Sequence, residues 1–215
     1  MEQKIKDILE DLIRRYPVLS CAKDDIAAAY EAMKDCYDRG GKLLIAGNGG
    51  SCADADHIVG ELMKEFKKRR PVSSELRKAL VQADPAEGEA LADKLGYSLM
   101  ALSLSNQQTL NTAFSNDVDG DYIYAQQILG YGRRGDVYLA ISTSGNSRNI
   151  LHAVPVAKAL GIKVVGLSGR TGGKLKAKAD ITICAPEDET YKVQELHLPI
   201  YHTLCMMLED TYFPE

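Results

Sequence analysis

The sequence has little of what marks disulfide-bonded, zinc-finger or membrane proteins. Its five cysteines are scattered along the chain: Cys21, Cys36, Cys52, Cys184 and Cys205. Because their number is odd and none are spaced as CxxC, a disulfide framework and a zinc finger are excluded, and a reduced, cytoplasmic protein is expected. No apolar run reaches about 18 residues, so we expect no membrane span. The mixed-charge segment 1–16 also lacks the apolar core of a signal peptide.

An excess of positive charge is also missing. The formal net charge is -4, which argues against general nucleic-acid binding, since phosphate backbones attract basic surfaces. The run KEFKKRR at 64–70 is a local exception. We interpret it as a solvated helix end, because such charge runs commonly face water.

The chain lacks a long linker, a low-complexity tract and an internal repeat, so we expect one domain, residues 1–215. Its 45% hydrophobic residues suffice for a substantial core. Short apolar runs that suit buried strands lie at 42–47, 98–105, 137–142, 163–168 and 180–185. Segments with helical periodicity lie at 3–16, 23–39, 50–67, 121–130, 147–160 and 191–211.

This alternation of strands and helices predicts an α/β fold with a parallel sheet. Two helices within 1–40 precede the first strand as an N-terminal extension. Residues 70–97 look helical, and acidic and exposed in their second half. We interpret them as a surface insertion, and no motif within them indicates a particular reaction.

Glycine and hydroxyl residues follow three of the predicted strands. The loops are GNGGS at 47–51, STSGNS at 142–147 and SGRTGG at 168–173. Ligands of parallel α/β sheets bind beyond the carboxyl ends of the strands. A loop that leads into a helix offers phosphate free backbone N–H groups and the positive end of the helix dipole. GNGGS on its own is equally consistent with an ordinary tight turn.

STSGNS is the stronger signal, because several hydroxyls surround one glycine. They belong to Ser142, Thr143, Ser144 and Ser147, around Gly145. Helix capping would explain Ser147 alone. No P-loop lysine follows, so the loop favours a phosphate monoester over a nucleoside triphosphate.

An imidazole and a carboxylate follow the first glycine loop. His57 and Glu61 are four residues apart, so on a helix they share one face and can either bind one metal ion or form a surface hydrogen-bonded pair. Gln194 and His202, in the C-terminal helix, lie ~12 Å apart along the axis and ~80° around it, so they meet only if both side chains lean toward a common point. His197, ~140° from His202, is expected to face elsewhere.

Several motifs, in this order, resemble the sugar isomerase (SIS) family, and within it the phosphoheptose isomerases. They are GNGGSCADADH at 47–57, SND at 115–117, DVYLAISTSGNSRNIL at 136–151, GLSGRTGGKL at 166–175 and VQELHLPIYH at 193–202. The resemblance spans about residues 5–211 apart from 70–97. It implies a flavodoxin-like, five-stranded parallel sheet flanked by helices, and a homotetramer with active sites shared between subunits. It also implies a phosphosugar ligand whose phosphate lies in STSGNS.

The same resemblance implies the site residues. One zinc ion per subunit would be held by His57, Glu61, Gln194 and His202, of which glutamine is the weak ligand. Glu61 and His202 match the acid–base pair of the family. The substrate and phosphate residues are Asn48, Gly49, Gly50, Ser51, Asn116, Asp117, Ser142, Thr143, Ser144, Ser147 and Gln194.

The reaction so implied is the aldose–ketose isomerisation of a phosphosugar, sedoheptulose 7-phosphate above all. A proton moves between neighbouring carbons through an enediol, and a metal assists by polarising the adjacent carbonyl. One group removes the carbon-bound proton and another serves the oxygens. Glu61 is the first choice for the base, although the sequence does not settle the order of the two roles.

Two departures from the family pattern leave the sugar open. Where phosphoheptose isomerases carry an arginine four residues after the glutamate, this chain has Glu65 beside Lys64, and 70–97 is longer than the usual connection. The rival hypotheses are a non-catalytic SIS tetramer that binds a replication initiator protein, and a phosphosugar sensor. All four ligand positions are retained, which favours an enzyme, and no helix-turn-helix module is recognisable. The expected partners are the phosphosugar and further copies of the chain, with neither nucleic acid nor membrane.

Overall fold

The computed structural model describes residues 1–213. The strands, β1 to β5 in chain order, are Leu43–Ala46, Ala101–Ser103, Val137–Ser142, Lys163–Ser168 and Ile181–Cys184. The α-helices, α1 to α10, are Gln3–Arg15, Lys23–Asp38, Gly50–Met63, Ser74–Ala83, Gly88–Lys94, Gln108–Phe114, Ile123–Tyr131, Arg148–Ala159, Gly173–Lys178 and Thr190–Tyr212. Among these described helices, none combines the length and the apolar composition that a bilayer crossing requires.

The strands form one parallel sheet. Within residues 1–213 it has five strands in the order β2-β1-β3-β4-β5, and Leu44 of β1 lies between Leu102 and Tyr138 in the register. The direction in which strands are added reverses between β1 and β3. In doubly wound sheets, ligands bind at that reversal, beyond the C-terminal ends of the strands. The flavodoxin-like sheet expected from the sequence is confirmed.

Apolar side chains cover both faces of the sheet. Along β1, Leu43 and Ile45 belong to the core shared with α1, α2, α3 and α10, whereas Leu44 and Ala46 belong to a second core shared with α7 and α8. All four residues are at most 1% exposed. The alternation follows from the two-residue period of a strand, and helices on both faces explain the continuous apolar run.

The N-terminal extension is part of the main core. Ile5, Leu9 and Leu12 on α1 are at most 3% exposed. They share a hydrophobic cluster with Leu204 and Leu208 of α10. The helical extension expected from the sequence is therefore present, and it packs against the helix that carries two of the candidate ligands.

The second strand is shorter than predicted. β2 covers Ala101–Ser103 rather than 98–105. Leu99, two residues before β2, turns to a helix end instead of the sheet, because Leu99 N donates to Leu62 O of α3 at 3.0 Å. A tertiary hydrogen bond thus replaces strand pairing at this point.

The basic run KEFKKRR was predicted to be a solvated helix end, which is wrong for the helix and for Arg70, although Lys64, Glu65, Lys67 and Arg69 are exposed to solvent. α3 ends at Met63, before the run begins, and Arg70 is 1% exposed. The Arg70 guanidinium bonds to Glu209, 139 residues away in the sequence. A charge that local composition assigns to water is therefore buried against a distant partner.

Residues 70–97 form a small helical unit, as their composition predicts. Ser73 caps α4 by accepting a bond from Leu76 N at 3.2 Å. Arg77 of α4 pairs with Glu89 and Asp93 of α5. The two helices also pack closely, since Gly88 of α5 lies against the backbone of Val81, and their status as an insertion stays a prediction.

Candidate active site

Two glycine corners meet where the strand order reverses. The first follows β1: Gly49 has a φ of 56°, and α3 begins at the next residue. Side-chain amides join it to α8, because Asn48 and Asn149 each donate to the other's side-chain oxygen at 2.9 Å. Tyr124 OH adds a bond to Gly47 O at 2.7 Å. Neither Asn149 nor Tyr124 is recognisable from the sequence as part of this corner, because their partners are distant in the chain.

The second corner, STSGNS, is folded by its own polar groups. Gly145 N donates to Ser142 O at 2.9 Å, and Asn146 N donates to Ser144 Oγ at 3.2 Å. The hydroxyl oxygens of Ser142 and Ser147 lie 3.0 Å apart. Ser142 is only 3% exposed, so its hydroxyl supports the turn from beneath, whereas Ser144 is exposed to solvent.

The N-terminus of α8 opens onto this corner. Ser147 is the N-cap residue, but its side chain makes no capping bond to the helix. Ile150 N donates to Asn149 Oδ1 at 2.9 Å, whereas the amides of Arg148 and Asn149, together with the helix dipole, suit an anion such as phosphate. Thr143 is half-buried beside them.

The third glycine loop locks the second corner in place. Gly145 has a φ of +64°, and a Cβ there would lie 2.0 Å from Gly172 O. Leu175 N donates to Gly145 O at 3.0 Å, and Gly169 N donates to Thr143 O at 2.9 Å. This close backbone packing in a left-handed conformation requires glycine at position 145.

His57, Glu61 and His202 meet where α3 packs against α10. His57 Nε2 lies 3.1 Å from Glu61 Oε1 and 3.4 Å from His202 Nε2. In the part of the chain that the structure describes, these three residues offer ligand atoms within 4.8 Å of one another. The four-residue spacing accounts for the first contact, and the packing of the two helices accounts for the second. Two imidazoles and a carboxylate thus form a candidate metal-binding cluster.

Tyr201 and Asp54 lie behind His57. Tyr201 OH is 3.0 Å from His57 Nδ1, so it occupies the ring nitrogen that faces away from Glu61. Burial raises the pKa of Tyr201 and raises the pKa of Asp54 to about 6. A partner on the outer nitrogen orients the ring of a metal-binding histidine and selects its tautomer, which here presents Nε2 to the cluster.

The two carboxylate oxygens of Glu61 have different partners. Glu61 is 8% exposed, and while Oε1 faces His57, Oε2 accepts a bond from Lys64 Nζ at 3.1 Å. Burial, followed by the proximity of His57, lowers the pKa of His202. A neutral imidazole is the form that binds a metal or accepts a proton. The cluster therefore combines a carboxylate held by two neighbours with an imidazole that favours its neutral form.

The other predicted residues lie apart from the cluster. The amide of Gln194 packs against Gly50, where a Cβ would come within 2.5 Å of Gln194 Nε2. Asn116 donates to Asp117 at 2.8 Å on the surface. His197 is fully buried, with Nε2 at 3.3 Å from a backbone carbonyl of β4 and a pKa lowered by burial to about 4. His197 thus faces away from His202, as its angle on the helix predicts.

The glycine corners and the ligand cluster lie at different levels of α3. Ser51, in the first turn beside the corners, is 3% exposed. His57 and Glu61 follow it by six and ten residues, ~9 and ~15 Å along the helix axis. Within one chain, the glycine corners and the cluster are therefore separated along the helix.

This chain is similar to proteins of one family over most of its length. A family model described as SIS domain matches residues 97–208, and a second SIS-domain model matches residues 4–98. The phosphoheptose isomerase of Helicobacter hepaticus is 36% identical over 185 residues, which cover 86% of this chain and 81% of that protein. The phosphoheptose isomerase of Geotalea daltonii is 38% identical over 190 residues, which cover 88% and 85%. The structure of a phosphoheptose isomerase from Neisseria gonorrhoeae matches with a TM-score of 0.73 at 28% identity, covering 97% of this chain and 98% of that one.

Proposed function

The chain belongs to the SIS domain family and is a phosphosugar isomerase, and from this premise we propose that it interconverts sedoheptulose 7-phosphate and heptose 7-phosphate. One observation carries the proposal: His57, Glu61 and His202, from two different helices, offer ligand atoms within 4.8 Å of one another. An imidazole beside a carboxylate in this arrangement suits both proton transfer and metal binding.

A zinc ion fits the residues of this cluster. Two imidazole nitrogens and a carboxylate oxygen are donors that zinc takes in catalytic sites, and the Tyr201 hydroxyl supports the outer nitrogen of His57. We propose His57, Glu61 and His202 as ligands, without Gln194, whose amide packs against Gly50 at the first glycine corner. When bound, zinc supplies Lewis-acid polarisation of the sugar carbonyl.

The protons are moved by residues of the chain itself. Glu61 takes the proton from the carbon next to the carbonyl and returns it to the neighbouring carbon, so that an enediol exists between the two steps. His202 passes a proton between the two oxygens. Glu61 and His202 both contact Nε2 of His57, at 3.1 and 3.4 Å. The two groups that transfer protons are therefore close to one another.

The two glycine corners are proposed to hold the phosphate. The hydroxyls of Thr143 and Ser144, and the amides at the start of α8, suit a phosphate monoester. The supporting residues are Asn48, Gly49, Gly50, Ser51, Ser142 and Ser147, with Asn116 and Asp117 as further substrate contacts. Binding the phosphate away from the reacting carbons orients those carbons for proton transfer.

We also propose a homotetramer in which each active site is shared between subunits. The exposed apolar side chains of Val118, Tyr122 and Leu129, which lie together on the surface, support association with further copies of the chain, since exposed apolar patches mark interaction sites. Light scattering at micromolar concentration is expected to give four times the 23.5 kDa of one chain. A monomer in this measurement would contradict both the assembly and the shared site.

Residues 70–97 are proposed as an insertion in a single SIS domain that spans residues 1–215. We place the enzyme in the carbohydrate metabolism of the cytoplasm, since its cysteines within the described residues are free thiols, which suit a reducing compartment.

The function is tested by assaying the purified protein with sedoheptulose 7-phosphate and by measuring zinc in the same sample. Heptose 7-phosphate is expected to form, a chelator to stop turnover, and added zinc to restore it. A panel of other ketose phosphates identifies the preferred sugar. NMR in D2O should report exchange of the carbon-bound proton with solvent, as an enediol requires.

The scaffold and sensor hypotheses predict a different result in the same assay. Both hypotheses predict that no sugar phosphate is turned over. The similarity to relatives named as isomerases does not favour either of them. A folded, zinc-loaded protein without activity on the whole panel would refute the proposed reaction.

A further inference from the structure

Arg70 is a buried cation at the end of the helix that carries His57 and Glu61. Its side chain is 0% exposed. Nη1 donates to Leu62 O at 2.6 Å, and Nη2 donates to Glu61 O at 3.0 Å. These carbonyls belong to the last turn of α3, where a helix has carbonyls without helical partners and where its dipole favours a positive charge. Arg70 therefore caps α3 directly beside the candidate base.

Glu209 completes a connection from Arg70 to α10. Its Oε1 lies 3.0 Å from Arg70 Nε and 2.9 Å from Nη2. The same carboxylate accepts bonds from Phe66 N and Lys67 N, both at 2.9 Å. Glu209 follows His202 by seven residues, about two helical turns, so both side chains leave the same face of α10. One carboxylate thus anchors the segment after α3 to the helix of His202.

A buried ion pair is by itself weak evidence for a gain in stability. Taking two charges out of water costs solvation energy that their attraction offsets only in part, and apolar replacements of such pairs are often neutral. The pair also fixes the relative position of the groups that it joins, because the planar guanidinium of Arg70 has five donors in a rigid fork. That fork bridges two carbonyls of α3 and one carboxylate of α10 at the same time.

We propose that Arg70 and Glu209 are positioning residues that hold His57 and Glu61 on α3 at the distance from His202 that a bound metal requires. This inference rests on the proposed function. The Arg70 bonds to α3 go to backbone carbonyls, so its influence reaches the cluster through the helix backbone rather than through the ligand atoms.

The test variant is Glu209→Gln, which keeps the shape of the side chain but removes the charge that Arg70 and two amides share. Zinc is titrated into the metal-free protein against a competing chelator. We expect its affinity to fall by about 10- to 100-fold, as for other residues that orient metal ligands. Turnover should fall as well, whereas KM for the phosphosugar should stay near the wild-type value, because the phosphate corner is untouched.

Asp136→Asn is the matched control. Asp136 is also a buried carboxylate, 2% exposed, and it accepts bonds from Lys42 N, Lys42 Nζ and Arg133 N at 3.0, 2.6 and 2.8 Å. It lies before β3 and touches none of the candidate ligands. The control should lose stability but keep its zinc affinity and its turnover. Wild-type zinc affinity in a folded Glu209→Gln protein would overturn the inference.

Two further measurements keep the outcome decisive. If Glu209→Gln does not fold, Arg70→Lys is tested in its place. Lysine keeps the positive charge but lacks the fork of donors, so the same loss of zinc affinity is expected. Unchanged zinc affinity would overturn the inference. Hydrogen–deuterium exchange in the last turn of α3 should be faster in either variant, and equal protection also counts against it. A wild-type protein that neither binds zinc nor turns over sugar would refute the proposed function, and the exchange rates would still decide whether the pair holds α3.

Discussion

Replacing Glu61 by glutamine is expected to lower turnover by ~10²-fold or more, the range for loss of a general base. The substitution keeps the volume and the hydrogen-bonding reach of the side chain but removes its charge. In the native chain Glu61 Oε1 faces His57 and Oε2 faces Lys64. A neutral amide at this position neither accepts the carbon-bound proton nor offers an anionic metal ligand. The measurement is kcat with the phosphosugar, together with the zinc content of the variant, which should fall too.

The control for this substitution is Glu89→Gln. Glu89 has a 64% exposed side chain and pairs with Arg77 on the surface, so kcat should not change. Assembly and phosphosugar binding should survive in Glu61→Gln, because the STSGNS corner and the core are unchanged. A Glu61→Gln variant as fast as the wild type would remove Glu61 from both roles. A wild type without any turnover would instead favour the scaffold hypothesis.

A second large effect is expected when Gly145 is changed to alanine. Its φ of +64° costs an L residue roughly 1–2 kcal/mol. The new Cβ would also lie 2.0 Å from Gly172 O and 2.4 Å from Gly172 C. Both are backbone atoms, so the corner has to open rather than a side chain turn aside. We expect KM for the phosphosugar to rise by ~10-fold or more, equivalent to about 1.4 kcal/mol of lost binding, with a smaller change in kcat.

Gly40→Ala separates backbone strain from loss of the corner. Gly40 has a φ of +73° with nothing within 4 Å of a built Cβ, so this variant carries the strain without the clash. Its Tm should fall while its KM stays unchanged. Should Gly145→Ala fail to fold, Ser144→Ala tests the same corner, and its lost hydroxyl is expected to cost about 1 kcal/mol of binding. Unchanged KM in Ser144→Ala and in a folded Gly145→Ala would remove phosphate from this loop.

Features that depend on short stretches could be predicted from the sequence. His57 and Glu61 touch because four residues make about one helical turn. STSGNS forms a tight corner because Gly145 tolerates a positive φ. The unbroken apolar run of β3 indicated a strand covered on both faces, and the order of the motifs along the chain was specific enough to indicate the family and its sheet.

Residues that support these motifs were not predictable, because their partners are distant in the chain. Tyr201 meets His57 across 144 residues, and Asn149 meets Asn48 across 101. Ser142 belongs to the predicted set of hydroxyls, but the fold of the corner buries it and leaves Ser144 exposed. Which hydroxyl faces a ligand depends on how the turn packs, and no local pattern encodes that.

Arg70 is the clearest case in which tertiary contacts, and not the local sequence, decide the position of a residue. Its run, KEFKKRR, has the composition of a solvated segment, yet the guanidinium is buried because Glu209 offers it a carboxylate from another helix. A charge pattern cannot reveal which member of a run meets a buried opposite charge. The sequence by itself determined the longer helices, the glycine corners and the candidate ligands, whereas the short helices α6 and α9 were not predicted. The packing of α3 against α10 decided which ligands meet and which charges are buried, since both depend on contacts between residues far apart in the chain.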